Sequence, residues 1–397
     1  VANLEITPTF AGQGSGNVSI DAAFTCSPGD GALSTSTVTV FDPSGKRVST
    51  ATMPISGQPG ASGKMAFQMD TSSAGTFTVQ VFVTDDSGAI SNTAARVFAV
   101  LNPRTQGPPW RTGAPMPTPR GGLGAGTIGG KLYVVGGRDA QGNDVNVTEC
   151  YDPSIDSWTA RSPMPFGGEV VAVVLDGKLY ALGACATRND CALVQQYDAQ
   201  TDTWTIKAPI PHGYLSGYYT AGVVNGKIYC TGESRDSIYY TPERDEWTTM
   251  PAPVLGIWGA AGVVLGDRLY LAGGTVGDDI YSSFGSWDPI ANTYVPETGM
   301  SLSLCFATAA APDGKIYVIG GDGYDTAAPY LSYRSHAEVE QYDPSTSGWT
   351  AKTSMPTARQ SLASAVIDGK IYVVGGYTIS IGEAPTDKLE IYDPAAD

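Results

Sequence analysis

The sequence predicts an all-β chain in two parts: a β-sandwich over residues 1–101, then a six-bladed β-propeller over residues 110–397. Three observations predict it. A strand phrase of Gly, Lys or Arg, an aliphatic residue and Tyr, ending in glycine, returns six times. The copies are Lys131–Gly137, Lys178–Gly183, Lys227–Gly232, Arg268–Gly274, Lys315–Gly321 and Lys370–Gly376, spaced by 47, 49, 41, 47 and 55 residues. An aromatic turn follows each: Tyr151-Asp152-Pro153, Tyr197-Asp198, Tyr240-Thr241-Pro242, Trp287-Asp288-Pro289, Tyr342-Asp343-Pro344 and Tyr392-Asp393-Pro394. A period near fifty with these marks suits four-stranded units that must stack around an axis to bury their faces. Finally, the chain holds 49 Gly and 27 Pro, and no segment keeps a helical period.

The first part carries no copy of the phrase. It reads as alternating strands at Leu4–Thr9, Val18–Phe24, Thr37–Phe41, Lys64–Met69, Gly75–Thr84 and Ala95–Val100, with turns such as Asp42-Pro43-Ser44-Gly45 between them. The run Thr76 to Val83 alternates as a half-buried strand does. Residues 102–109 are Pro-rich and form a short, stiff linker. An open sandwich has edges. The first strand, Ala2–Phe10, with Val1, Leu4, Ile6 and Phe10, could therefore pair at home as an ordinary first strand or be donated to a neighbouring copy.

In the second part each unit needs four antiparallel strands. Small apolar runs such as Gly122–Ile128 and Val170–Leu175 form the innermost, the Tyr phrase the second, and the aromatic turn ends the third. The fourth begins at Trp158, Trp204, Trp247 or Trp349, with Tyr294 in the fourth unit. The sixth unit lacks this strand, because the sequence stops at Asp397. The segment Trp110 to Pro117 is a fourth-strand phrase with no unit before it. It is expected to complete the sixth unit and close the ring.

The repeated phrase resembles the kelch repeat, over about residues 107–397. The segment Gly75 to Val100 resembles the closing hairpin of a bacterial Ig-like or PKD-like sandwich. With Cys26 as its one cysteine, that domain cannot hold the inter-sheet disulfide of antibody domains. The kelch resemblance implies a ligand face built by the loops entering the innermost strands and those joining second to third strands. Binding members of the family often place Arg eleven residues before the lysine of the phrase. Here that position holds Arg120, Gly167, Ser216, Ile257, Leu304 and Arg359. Arg120 and Arg359 would lie on adjacent blades and could grip a carboxylate or sulfate, or else brace the blade junction. Glu169 is a candidate partner. The long loop from Asp322 to Ala337, with Tyr324, Tyr330, Tyr333, Arg334 and His336, and the loop beginning at Tyr377, would wall this site. Exposed tyrosines there suit sugar rings or a protein interface, or pack on each other.

Composition narrows the partners. A net charge of −16 argues against nucleic acid and anionic membranes. There is no transmembrane run and no signal peptide, and a first residue of Val suggests a processed, secreted or surface chain. Cys185 and Cys191 flank a short loop and are disulfide candidates, while Cys26, Cys150, Cys230 and Cys305 show no partner. No cofactor or metal is expected: there are two histidines, His212 and His336, and no zinc spacing. Copper oxidases of the galactose oxidase type need two His and two Tyr on one metal in a seven-bladed ring, which this sequence does not offer.

These readings point to a non-catalytic extracellular surface or appendage protein. It would assemble with itself or attach through the Ig-like part and present a propeller face to a surface glycan or protein. A secreted kelch enzyme of the sugar mutarotase or lyase type, or a monomeric glycan-binding protein, is the alternative.

Overall fold

The computed structural model describes residues 3–7, 10–12, 17–25, 33–41, 46–57, 62–70, 75–85, 94–101, 108–184, 192–211, 219–232, 236–253, 257–277, 279–324, 333–378 and 384–397. The chain divides into two compact units, one of residues 1–107 and one beginning at Pro108.

The first unit holds β1 (Asn3–Thr7), β2 (Phe10–Gly12), β3 (Asn17–Thr25), β4 (Leu33–Phe41), β5 (Arg47–Gly57), β6 (Ser62–Asp70), β7 (Gly75–Asp85) and β8 (Ala94–Leu101). They form two sheets, in the orders β1-β3-β6 and β2-β8-β7-β4-β5. Side chains alternate on β7: Phe77, Val79, Val81 and Val83 are buried, while Thr78, Gln80, Phe82 and Thr84 between them are partly exposed. Two features differ from the sequence expectation. The expected first strand is broken: β1 pairs antiparallel with β3, Leu4 opposite Phe24 and Ile6 opposite Ala22, whereas β2 crosses to the other sheet and runs parallel to β8, Phe10 opposite Ala99. Val1 lies outside the described residues. Both pieces are paired within the unit, and β1 and β2 each lie at the edge of a sheet. The second difference is β5, absent from the expected strands because its Ser, Thr, Met and Pro residues break the apolar alternation.

The second unit contains, among the described residues, six four-stranded antiparallel sheets. The first is typical: Gly124–Ile128, Lys131–Val135, Thr148–Asp152 and Ser157–Arg161. The first strands of successive sheets adjoin in chain order, and that of the sixth, Ala363–Ile367, adjoins that of the first. Trp110–Thr112 supplies the sixth sheet's fourth strand, with Trp110 opposite Tyr392. Apolar clusters lie between neighbouring sheets. Leu132, Val134 and Tyr151 of the first sheet, for example, meet Tyr372, Val374 and Ile391 of the sixth.

The repeated residues each have a mechanical reason. In four of the sheets the first and second strands are joined by two-residue turns with both residues left-handed, as at Asn225-Gly226 (φ 47° and 72°) and Asp176-Gly177 (φ 50° and 71°). The Lys that opens the second strand pairs with the Asp of the aromatic turn, at 2.8 Å for Lys131–Asp152 and 3.3 Å for Lys178–Asp198. These pairs are solvent-exposed and contribute little. The diglycine is required by the next sheet. A Cβ on Gly320 would lie 2.7 Å from the Arg359 carbonyl, and the Gly321 N–H donates to that same oxygen at 2.8 Å. Gly375 and Gly376 stand in the same relation to the Arg120 carbonyl.

The Trp of the fourth strand works with a carboxylate. Tyr197 donates its hydroxyl to Asp202 at 2.5 Å; Asp202 also accepts the Ser162 N–H at 3.0 Å, and the Trp204 indole donates to the Ser162 carbonyl at 2.9 Å. Both backbone groups of one residue at the end of the preceding sheet are thereby held. The same clamp recurs with Asp156 and Trp158 on Ala114, Asp245 and Trp247 on Ala208, and Asp397 and Trp110 on Thr353.

Candidate functional site

The entry loops to the first strands and the loops between second and third strands meet at one end of the ring. Short bridges tie them: Gly121 to Arg138, Trp258 to Thr275 and Gln360 to Tyr377. A small extra sheet joins Leu304–Cys305, Asp322–Tyr324 and Tyr333–Ser335. Backbone bonds run from sheet to sheet around this mouth: Phe306 N–H to the Gly259 carbonyl (2.8 Å), Ser361 N–H to that of Phe306 (2.9 Å), Gly122 N–H to that of Ser361 (2.9 Å) and Val170 N–H to that of Gly122 (3.1 Å). Forming this belt places Phe306 (φ 54°) and Ser361 (φ 49°) in the left-handed region that their equivalents Gly122 and Gly259 occupy freely.

Arg120 and Arg359 do not form an open anion grip. Both are 0 % exposed. Arg120 pairs with Glu149 at 2.5 Å and donates to the Thr118 and Val134 carbonyls. Arg359 pairs with Glu390 at 2.8 Å and donates to the Thr357, Gly375 and Lys388 carbonyls. Each Glu takes a second bond, from Thr118 or Thr357. Burial lowers both guanidinium pKa values and the adjacent carboxylates partly offset it. The two arginines brace their own sheets; the ligand-holding expectation fails because their donors are directed inward at acceptors of the same sheet.

The other expected residues divide. Glu169 lies at the mouth, ion-paired with Arg138 at 3.2 Å, and Arg138 also holds Asp144 at 2.9 Å. Tyr324 and Tyr333 stack at 5.4 Å and 30°, with Tyr333 49 % exposed. Tyr377 lies on Gly121, where a Cβ would meet its ring at 2.2 Å. Arg334 pairs with Glu338 at 2.7 Å, and buried His336 reaches the same carboxylate at 3.1 Å through Nδ1. Burial pushes Glu338 up, but Arg334, backbone N–H groups and His336 outweigh it and hold its pKa at about 2. Tyr330, Cys185, Cys191, Cys26 and His212 lie outside the described residues. Cys150, Cys230 and Cys305 are buried free thiols, and burial pushes Cys305 up to about 12.

Sequence reasoning missed Arg138, Phe306 and Ser361. The signal was present. The position two residues after the expected Arg reads Gly122, Glu169, Gly259, Phe306 and Ser361 in five of the units, and this column lines the mouth. Around it, Trp258 meets Phe306 edge-on at 5.8 Å, and Val276 and Tyr281 are 43 % and 41 % exposed. One arc of the mouth is therefore aromatic and aliphatic, and the arc at Arg138, Asp144 and Glu169 is charged.

The Kelch motif matches residues 119–165, 303–356 and 358–397. These matches and the four-stranded antiparallel sheets support a kelch-repeat β-propeller for the second unit. Similar proteins include Kelch-like protein 15 of Danio rerio, 28% identical over 44% of this chain and 32% of that protein. Kelch-like protein 26 of Danio rerio is 26% identical over 67% of this chain and 37% of that protein. The chain thus spans about a third of the length of these curated relatives. Among solved structures, that of YjhT superposes with a TM-score of 0.59 at 17% identity, covering 69% of this chain and 95% of that one. At that identity the likeness is one of fold alone.

Proposed function

We propose that this chain is a non-catalytic, extracellular binding protein whose six sheets are the six blades of a closed kelch propeller, and that its mouth docks a partner protein. The observation that carries this reading is the half-exposed apolar arc of Tyr333, Tyr281 and Val276 with the Tyr324–Tyr333 stack on the fourth and fifth sheets, together with the Arg138–Glu169–Asp144 ion network on the first and second. Aromatic anchors next to a charged edge are the usual make-up of a protein-binding surface. The kelch relatives favour the same role for the fold, while saying nothing of this partner. The first unit serves as the attachment module. Its strand order, with a short first-strand extension parallel to the last strand, suits an Ig-like sandwich. Attachment to further copies runs through an open sheet edge of this unit, at β1, which is paired on one side with β3, or at β5, which is paired on one side with β4 and exposed at Thr50, Thr52 and Met53.

A photo-crosslinking residue at Tyr333 is expected to capture a discrete protein at the cell exterior, whereas one at Ile155, 69 % exposed in a third-to-fourth-strand turn, captures none. Tyr333→Ala should weaken that partner's affinity about tenfold. Equal capture from both positions, or recovery of the native protein only from cell interiors, would overturn the reading.

A further inference from the structure

The loop between the second and third strands of the fourth sheet folds into a small hairpin. Thr275-Val276 pairs with Asp279-Ile280, Thr275 opposite Ile280 and Val276 opposite Asp279. The ladder continues one step further, since the Tyr281 N–H donates to the Gly274 carbonyl at 2.9 Å. Residues directly opposed across a ladder point to one side of it, and alternate residues along a strand return to that side. Thr275 and Ile280 therefore share the inner side, and both are buried. Val276, Asp279 and Tyr281 share the outer side, and all three are exposed.

The extra sheet on the loop of the fifth sheet repeats this composition. Tyr324 stands opposite Tyr333, and Asp322, two residues before Tyr324, falls on the same side. Arg334 falls on the other side, where Glu338 holds it at 2.7 Å. The two pieces are tied together, because the Leu304 N–H of the extra sheet donates to the Tyr281 carbonyl at 3.2 Å.

Charge on this arc is one-sided. The described Lys and Arg residues of the fourth and fifth sheets are committed elsewhere: Arg268 to Asp288, Lys315 to Asp343, Arg334 to Glu338 and Lys352 to the Asp397 carbonyl. Asp279 is left without a salt bridge among the described residues. Across the mouth, Arg138 is shared by two carboxylates, Asp144 and Glu169, so that side is also net negative. The chain's net charge of −16 adds an attracting field for cations.

A cationic side chain answers the outer face of the hairpin best. Its charge is attracted by the electron-rich face of the Tyr281 ring, and its N–H donors suit the Asp279 carboxylate. Alternate residues of a strand lie about 7 Å apart, a gap that one Lys or Arg side chain can bridge. An acidic partner would be repelled by Asp279. An uncharged apolar partner would cover Val276 and Tyr281 but strand that carboxylate away from water.

We propose that the arc of Val276, Asp279 and Tyr281, with the Tyr324–Tyr333 stack beside it, recognises a protein segment that carries Lys or Arg next to an apolar residue. The Tyr281 ring and the Asp279 carboxylate take the cation together, and Val276 takes the apolar neighbour. This inference rests on the reading of the mouth as a protein-docking surface and specifies the partner's charge.

The test selects short random peptides displayed on phage against the full chain. The enriched peptides are then synthesised and titrated, by fluorescence anisotropy, into the parent and into Asp279→Asn and Tyr281→Ala. Enriched sequences are expected to carry Lys or Arg beside an aliphatic or aromatic residue. Their affinity should fall about fivefold in Asp279→Asn and about tenfold in Tyr281→Ala, and should weaken as NaCl is raised. Both side chains point outward from the hairpin, so the variants should melt with the parent. Should Tyr281→Ala unfold the loop, Asp279→Asn, which removes only the charge, carries the test alone. Peptides that are acidic or uncharged yet lose affinity in Tyr281→Ala would overturn the proposal and leave the docking reading standing. Basic peptides that bind Asp279→Asn as tightly as the parent would do the same. Recovery of no peptide sensitive to either substitution also overturns it, and the crosslink at Tyr333 then judges the docking reading separately.

Discussion

At the scale of single residues, Arg120 and Arg359 show how one residue type can serve two ends. The expected role was recognition, since a guanidinium pair suits carboxylate. Their surroundings reverse that: full burial, a buried Glu partner and inward carbonyl acceptors. Removing one member of such a pair leaves an uncompensated buried charge. Arg359→Met should therefore destabilise the protein by about 3–5 kcal/mol. Arg359→Met combined with Glu390→Leu should recover much of that loss, because no charge remains stranded. Urea unfolding of the two variants against the parent checks this. A double variant as unstable as the single one would show that the carbonyl contacts, not the charge pair, carry the effect. The sequence could not decide between gripping and bracing, because Glu149 and Glu390 lie 29 and 31 residues away from their arginines along the chain.

At the scale of elements, the repeat was legible because each of its residues solves a local problem that recurs. The diglycine gives way to the next sheet's carbonyl, the Tyr-Asp pair fixes the turn, and the Trp holds the preceding sheet. The fourth sheet departs, as its sequence does. Trp287 replaces Tyr and bonds Asn292 at 3.1 Å, and Tyr294 stands where other sheets have Trp. What was not legible was β5, whose polar, Pro-containing run has no strand signature, and the break between β1 and β2, since Leu4, Ile6 and Phe10 keep the two-residue spacing of one alternating strand. The mouth was half legible: loop tyrosines stood out, but the column holding Phe306 did not, because its function is a backbone bond and not a side-chain type. The diglycine argument makes a prediction at this scale. Gly320→Ala places a methyl 2.7 Å from a fixed carbonyl at a φ of 67°, and should cost about 2–4 kcal/mol. Gly314→Ala, in a turn with open space around it and a φ of 81°, should cost only about 1 kcal/mol of backbone strain. Thermal unfolding of both separates steric latch from conformational cost; equal losses would refute the latch.

For the kelch unit as a whole, the clamps couple its sheets to pH. Asp156 and Asp202 titrate below the ordinary carboxylate range, chiefly because Tyr151 and Tyr197 donate to them. At Asp245 and Asp397 burial pushes upward, but the tyrosine hydroxyl and backbone donors prevail and the net shift is again downward. A carboxylate depressed on folding contributes stability above its unfolded value, about pH 4, and loses it as pH falls through the folded value. The partner tyrosines move the other way, raised first by burial and then by the carboxylate. Their contribution is complete below about pH 10 and is lost as pH rises beyond it. The melting temperature should thus be flat between about pH 5 and 9 and fall on both sides. One opposing effect exists: acidification relieves the repulsion of a net charge of −16. That repulsion acts between exposed charges and is screened at about 1 M salt, where the Debye length is about 3 Å, whereas the clamp bonds are direct contacts. The acid limb should therefore be steeper at high salt. Asp202→Asn should lower the melting temperature at neutral pH and flatten its acid limb, so that variant and parent converge as pH falls from about 4 through the depressed folded value. Differential scanning calorimetry across that range measures it, and parallel curves would show that the clamp carboxylates do not govern the acid response.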